Sequence, residues 1–148
     1  MIGEPNTNAA MAKVLDRAAY NHGLEPALVR GLAFVESRWN PKAISDKGAK
    51  GICQLMPAVC ADHGVTDPFN AAENARAGCA HLARLIRKFG SVQLGLCAYN
   101  WGPRNVQERL DASGQIPPAV QLYATRVLER AKLEMLHPTC PFADRGEV

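Results

Sequence analysis

Residues 26–39, PALVRGLAFVESRW, carry an apolar helical face that ends in a carboxylate. At about 100° per residue, Val29 and Leu32 fall in line beneath Glu36. Leu28, Ala33 and Val35 flank that line, while Arg30 and Arg38 fall off it. Glu36 therefore continues the apolar face instead of joining the polar one. A carboxyl set against an apolar wall loses solvation as an anion, and its pKa rises. Such a group can hold a proton near neutral pH and act as the general acid that cleavage of an acetal needs. Spacing alone leaves another reading open, a helix-end glutamate bridged to an arginine or bent out to water.

The rest of the chain reads as helices separated by proline and glycine. Thr7 or Asn8 is expected to cap a helix over AAMAKVLDRAAYNH, with Met11, Val14, Leu15, Ala18 and Ala19 at helical spacing and Gly23 at its end. Pro26 suits the first position of the next helix, and Asn40-Pro41 breaks it. A polar loop follows over Lys42–Lys50, with Gly48 close to Gly51. Further helices are predicted from about Cys53 to His63, over Ala71–Lys88, over Val92–Tyr99, and from about Pro118 to Leu136. No segment alternates at period two for long enough to make a strand. The expected fold is mainly α and compact, one domain over residues 1–136, with room for a short β-hairpin in 41–51. The tail, HPTCPFADRGEV (137–148), has two prolines and little to bury, and is expected to be mobile.

Composition removes several function classes. The 148 residues, 47% apolar and 21% charged, suit one globular domain with its own core. A net charge of +3 suits an anionic partner such as cell-wall polymer. Lysines and arginines are scattered, which argues against a nucleic-acid partner. No run approaches the roughly 18 apolar residues of a membrane span, so no stable membrane insertion is expected. Cys53, Cys60, Cys79, Cys97 and Cys140 form no regular framework and read as reduced core thiols, with one disulfide open to an oxidising compartment. Cys60-x-x-His63 and Cys79-x-His81 have irregular spacing on separate helices, so no metal is expected. No phosphate loop is present, and no cofactor is expected.

The residues around Glu36 carry a family resemblance. ESRWNPKAISDKGAKGICQLMP resembles the signature of soluble-type lytic transglycosylases, whose catalytic domain is lysozyme-like and related to goose-type lysozyme. Glu36, Ser37, Asn40, Pro41, Ala43, Ser45, Gly48, Ala49, Gly51, Gln54, Met56 and Pro57 match it at the right spacing. A second block is matched by Ala98, Tyr99, Asn100, Gly102 and Pro103, and a weaker third by Pro117, Pro118 and Tyr123. The resemblance spans roughly residues 8 to 134, and three ordered blocks are far more specific than one short motif. Cys53, Trp101, Arg104, Ala119 and Val120 depart from the usual family residues, which touches substrate preference and packing.

The resemblance implies cleavage of the β-1,4 bond between N-acetylmuramic acid and N-acetylglucosamine in peptidoglycan. Glu36 would protonate the leaving oxygen and then, as a base, activate the muramoyl 6-hydroxyl, giving a 1,6-anhydro sugar without water. The substrate's 2-acetamido group would stabilise the cationic centre. A two-carboxylate hydrolase would want a second acid among Asp46, Asp62, Asp67 and Glu73; Asp46 reads as a turn residue, and the signature supplies no paired acid. The resemblance puts Ser45, Gln54, Met56, Tyr99, Asn100 and Tyr123 at substrate-binding positions, with Tyr99 expected to bond the Glu36 carboxyl. Met56 alone equally fits core packing, and Tyr123 a half-buried tyrosine. Trp39 and Trp101 fit sugar stacking or packing equally well.

The partner implied is the glycan strand, with the protein acting as a monomer. The N-terminal MIGEPNTNAAMAKVLDRAAY shows no charged start followed by an apolar core, so no export signal is expected. Reaching the wall then points to a phage-borne enzyme, a trimmed chain, or a dedicated secretion machine. Two rivals stay open: a lysozyme that hydrolyses the same bond, and a non-catalytic glycan-binding or virion module.

Overall fold

The computed structural model describes residues 7–136. The tail expected to be mobile, 137–148, lies outside the described residues. Among those described the fold is all helix: α1 (Thr7–Asn21), α2 (Pro26–Ser37), α3 (Pro57–Asp62), α4 (Ala71–Phe89), α5 (Val92–Trp101), α6 (Pro103–Asp111) and α7 (Pro118–Leu136).

The punctuation follows local chemistry. Proline occupies the first turn of α2, α3 and α6, where the missing N–H has no partner to lose. Asn70 and Ser91 cap α4 and α5 by accepting from the backbone N–H of Glu73 and Leu94. Gly90 ends α4 at a φ of 83°, a left-handed turn that glycine adopts without a Cβ clash.

Four details differ from the sequence expectation. α1 already includes Thr7 and Asn8, so neither is its cap. α3 begins at Pro57, not near Cys53, because residues 51–55 are taken up by a tight reversal that pairs Lys50 with Leu55. The hairpin in 41–51 is reduced to isolated antiparallel bridges, Ile44 with Lys50 and Lys50 with Leu55. Helix α6 is not among the helices that the sequence marks; Val106 is its one buried residue, too little periodic signal to show it.

α2 runs through the middle of the core. Val29 and Ala33 face one apolar cluster with Leu15 and Ala19 of α1, Ala75 and Cys79 of α4, and Ile52 and Leu55 of the loop. Leu28 and Leu32 face a second cluster with Leu82, Leu96, Val106, Val120 and Val127. Each fully buried Leu or Val contributes about 1.5–3 kcal/mol relative to exposure. Burial on both sides explains the near-continuous apolar run ALVRGLA.

The exception within that run is Arg30, which is wholly buried. Its Nε and Nη2 donate to the two carboxylate oxygens of Asp16 on α1, at 2.8 and 2.6 Å. Its Nη1 reaches Glu134 Oε1 on α7 at 3.4 Å, and Arg130 holds the other oxygen of Glu134 at 2.7 Å. Asp16 and Glu134 are buried too, so two acids and two arginines form a neutral array between three helices. Beside it α2 and α7 touch: a Cβ added at Gly31 would lie 2.7 Å from Val127 O and 2.9 Å from Ala131 N. Breaking a buried ion pair by removing one partner typically costs about 3–5 kcal/mol. Arg30→Met is therefore expected to lower the unfolding free energy by about that much in urea melts; a loss under about 1 kcal/mol would contradict the assignment.

Candidate active site

Glu36 stands in the last turn of α2, half-buried above Val29 and Leu32, both fully buried. The apolar line predicted beneath it is present. Burial raises its carboxyl from the ordinary 4.5 to about 7, and a hydrogen bond from Tyr123 offsets part of that rise. Tyr123, on α7 and 87 positions away in sequence, donates its hydroxyl to Glu36 Oε2 at 2.6 Å. At about 7 the carboxyl is poised between donor and acceptor at neutral pH, the condition for general acid and base work by one group.

Tyr99 does not make the bond expected of it. Its hydroxyl donates to Cys53 O at 2.7 Å, and Tyr123 takes the place at the carboxyl. Both phenols are nonetheless in the field of Glu36: burial first, then nearby ionisable groups including Glu36, push each well above 10. Both therefore remain neutral hydroxyl donors.

After Glu36 the chain must leave α2 sharply. Arg38 and Trp39 both sit in the left-handed region, with φ of 54° and 65°, which costs about 1–2 kcal/mol per non-glycine residue. Contacts on either side hold them there. Arg38 N donates to Phe34 O at 2.9 Å, and the Trp39 indole donates to Arg30 O at 3.0 Å. Of the packing and sugar-stacking readings of Trp39, that bond and its contact with the α1/α2/α4 core favour packing. Ser37 Oγ donates to Ile52 O at 2.7 Å, tying the helix end to the far side of the loop.

The loop itself is rigidly hydrogen-bonded. Ser45 Oγ accepts from Ala49 N at 3.0 Å and closes the turn that exposes Asp46. Gln54, at a φ of 54°, donates its amide to Ala43 O and Gly51 O at 3.1 and 2.9 Å. Gln54 Nε2 thus serves the loop backbone, leaving Oε1 as its free acceptor. Asn74, buried on α4, accepts from Cys53 N at 2.8 Å and donates to Lys50 O and Pro68 O, both at 2.9 Å. Gly51 is required beneath it: a Cβ there would fall 2.2 Å from Asn74 Nδ2, at a φ of 87°.

Of the remaining predicted residues, Met56 is 42% exposed at the start of α3, which fits a contact surface better than core packing. Asn100 is exposed on α5, and its side chain makes no hydrogen bond among the described residues. Ile44, 63% exposed in the same loop, was not singled out from the sequence. Neither was Asn74, although a polar residue in line with Ala71, Ala75 and Gly78 on a buried helical face was a legible signal. Among the described residues no group of three or more His, Cys, Asp and Glu side chains is arranged to hold a metal ion.

The profile of the transglycosylase SLT domain matches residues 13–119. A transglycosylase of Enterobacteria phage PRD1 is 34% identical over 99 residues, covering 62% of this chain and 37% of the relative. A membrane-bound lytic murein transglycosylase F of Desulfosudis oleivorans is 31% identical over 102 residues, covering 64% of this chain and 22% of the relative. This chain thus spans well under half the length of either relative. Among solved structures, an inactive mutant of the lytic transglycosylase Slt from Pseudomonas aeruginosa superposes with a TM-score of 0.69 at 25% identity, over 80% of this chain and 23% of that one. The 70 kDa soluble lytic transglycosylase from Escherichia coli gives 0.70 at 23% identity, with the same coverage, and supports the fold alone. The lysozyme-like fold is therefore the one present.

Two outcomes follow from the carboxyl's surroundings. Tyr123→Phe removes a hydrogen bond that favours the anion, so the Glu36 pKa should rise above about 7, read by carbon NMR titration of its carboxyl. A raised folded pKa contributes stability that is complete below 4.5 and lost as pH climbs through about 7. Glu36→Gln should accordingly gain stability relative to the parent between those pH values, by about 1.4 kcal/mol per unit; parallel stability profiles would contradict the burial.

Proposed function

This chain belongs to the transglycosylase SLT family, and on that premise we propose that it is a peptidoglycan lytic transglycosylase. It cleaves the β-1,4 bond between N-acetylmuramic acid and N-acetylglucosamine and leaves 1,6-anhydro ends. The observation that carries this reading is a single half-buried carboxyl near 7, hydrogen-bonded by a tyrosine.

Glu36 gives its proton to the leaving glycosidic oxygen as the C–O bond breaks. Positive charge builds on the anomeric carbon, and the substrate's 2-acetamido oxygen stabilises it. The Glu36 anion then takes the proton of the muramoyl 6-hydroxyl, whose oxygen closes on the anomeric carbon. The proton balance is zero over the cycle, and no water enters. Tyr123 steadies the carboxylate between the two steps. Met56 and Asn100 are exposed for sugar contacts, and the free carbonyl of Gln54 can accept from a sugar hydroxyl or N–H. Ser45 and Tyr99 act chiefly by holding the loop that forms the wall. The site of action is the wall peptidoglycan, and the likeness to a phage transglycosylase supports a phage-associated role.

Hydrolysis by a second carboxylate is the rival chemistry. Burial and Tyr123 account for the Glu36 shift, with no second acid contributing, and Asp46 lies exposed in a turn. Mass spectrometry of muropeptides released from purified sacculi should find anhydro ends; reducing ends would instead establish a lysozyme. Glu36→Gln is expected to cut release by about 10²–10⁴-fold, and the parent's rate should fall as pH rises through about 7, where the acid form disappears. Undiminished release by the glutamine variant would overturn the assignment.

A further inference from the structure

A groove of about 330 Å³ lies between α1 and α4, two helices that carry none of the residues proposed to touch or cleave the glycan. Val14, Ala18 and Ala72 give it apolar surface, and Lys13, Arg17 and Arg76 give it charge. Among the described residues no acid lines it.

Most of that charge is not neutralised by its own helices. The only acid of α1 is Asp16, which turns inward onto Arg30. The only acid of α4 is Glu73, which accepts from Thr66 N and Oγ at 2.9 and 3.1 Å and so belongs to the turn before the helix. Lys13 and Arg17 stand one helical turn apart, and their side chains make no ion pair or hydrogen bond among the described residues. Like charges at that spacing repel and gain nothing within the fold. Arg76 donates to an uncharged acceptor, His63 O, at 3.2 Å, and its charge acts weakly on Glu73 three positions before it. The positive field reaches further. Burial first, then repulsion from Arg84 and more weakly Arg76 and His22, pushes His63 below its usual range against the pull of Asp62.

Lys13 and Arg17, without counterions beside an apolar strip, and the weakly paired Arg76 next to them call for a ligand that is both anionic and partly apolar. Resting on the proposed function, we infer that this groove binds the stem peptides of peptidoglycan, away from the bond being cut. Their carboxylates meet Arg17, Arg76 and Lys13, and their alanine methyls lie along Val14, Ala18 and Ala72. Guanidinium forks match carboxylates two bonds at a time. A phosphodiester polymer would satisfy the charges but leave the apolar strip uncovered. The groove thus tethers the protein to an insoluble, multivalent substrate and raises the local concentration of strands at Glu36.

The test uses the full chain carrying Glu36→Gln, so that binding is read without cleavage. It compares Lys13→Gln/Arg17→Gln, and the same pair with Arg76→Gln, against their parent by cosedimentation with sacculi. One sample of sacculi is intact, one is stripped of stem peptides by an amidase, and one is stripped of phosphate polymers by acid. Binding of the parent to intact sacculi should be at least five-fold tighter than that of the triple variant and should weaken with salt. Stripping the peptides should erase that difference, and stripping the phosphates should preserve it. In the Glu36 background, all variants should cleave short peptide-free glycan at the parent's rate. Equal binding by parent and folded variants would overturn the groove assignment, as would a difference that survives peptide removal or vanishes with the phosphates. A chain that bound as described but cleaved nothing would instead overturn the proposed reaction and leave the groove standing.

Discussion

The contact on which the site depends is not in the site. Arg30 binds α1 through Asp16 and α7 through Glu134, from the centre of α2. Gly31 beside it lets the α7 backbone come as close as a methyl group would forbid. Together they fix how α7 lies along α2. A slip of one turn would displace a residue by about 5.4 Å, far outside hydrogen-bond reach. The 2.6 Å bond from Tyr123 to Glu36 is therefore a consequence of register set elsewhere. A buried ion pair is weak evidence of net stability, since desolvation offsets most of the attraction. Its service here is to penalise every other register, because each would leave a charge buried alone.

A second set of contacts explains why the segment after Glu36 is so polar. Ser37, Ser45, Gln54 and Asn74 together engage the backbone at Ala43, Ala49–Lys50, Gly51–Cys53 and Pro68. An irregular loop cannot satisfy its own backbone groups as a helix does, so side chains must do it. Tyr99 joins this scaffold through Cys53 O. Ser45, Gln54 and Tyr99, which the resemblance put at substrate-binding positions, thus also hold this loop in place.

The legible part of the sequence was whatever repeats locally. The line Val29, Leu32, Glu36 could be drawn because a helix brings those positions together within a few residues. Six of the helices carried enough periodic apolar positions, or a proline or glycine at an end, to be marked. The contacts that were missed join distant positions: Arg30 to Glu134 over 104 residues, Asn74 to Cys53 over 21, Tyr123 to Glu36 over 87. Nothing at either end announces such a partner. Arg30 was correctly placed off the Glu36 line, yet what lay on its own side, α1 and α7, was invisible. Tyr99 and Tyr123 illustrate the same limit, since two tyrosines were in hand and only the tertiary packing decides which reaches the carboxyl.

The chemistry follows from a balance of two opposed effects on one group. Burial alone would drive the Glu36 carboxyl so far up that it would protonate a leaving group poorly and stay protonated afterwards. A fully hydrogen-bonded, solvated carboxyl would be an anion at neutral pH and could not start the reaction. Burial with one donor, Tyr123, brings it to about 7, where both forms are accessible. A hydrolase divides these duties between two acids with separated pKa values and must leave room for a water. In the proposed mechanism one carboxyl meets both duties in turn, with a nucleophile supplied by the substrate itself, on the side from which the proton can be returned. The intramolecular 6-hydroxyl meets that condition, and its attack carries the entropic advantage of a reaction within one molecule.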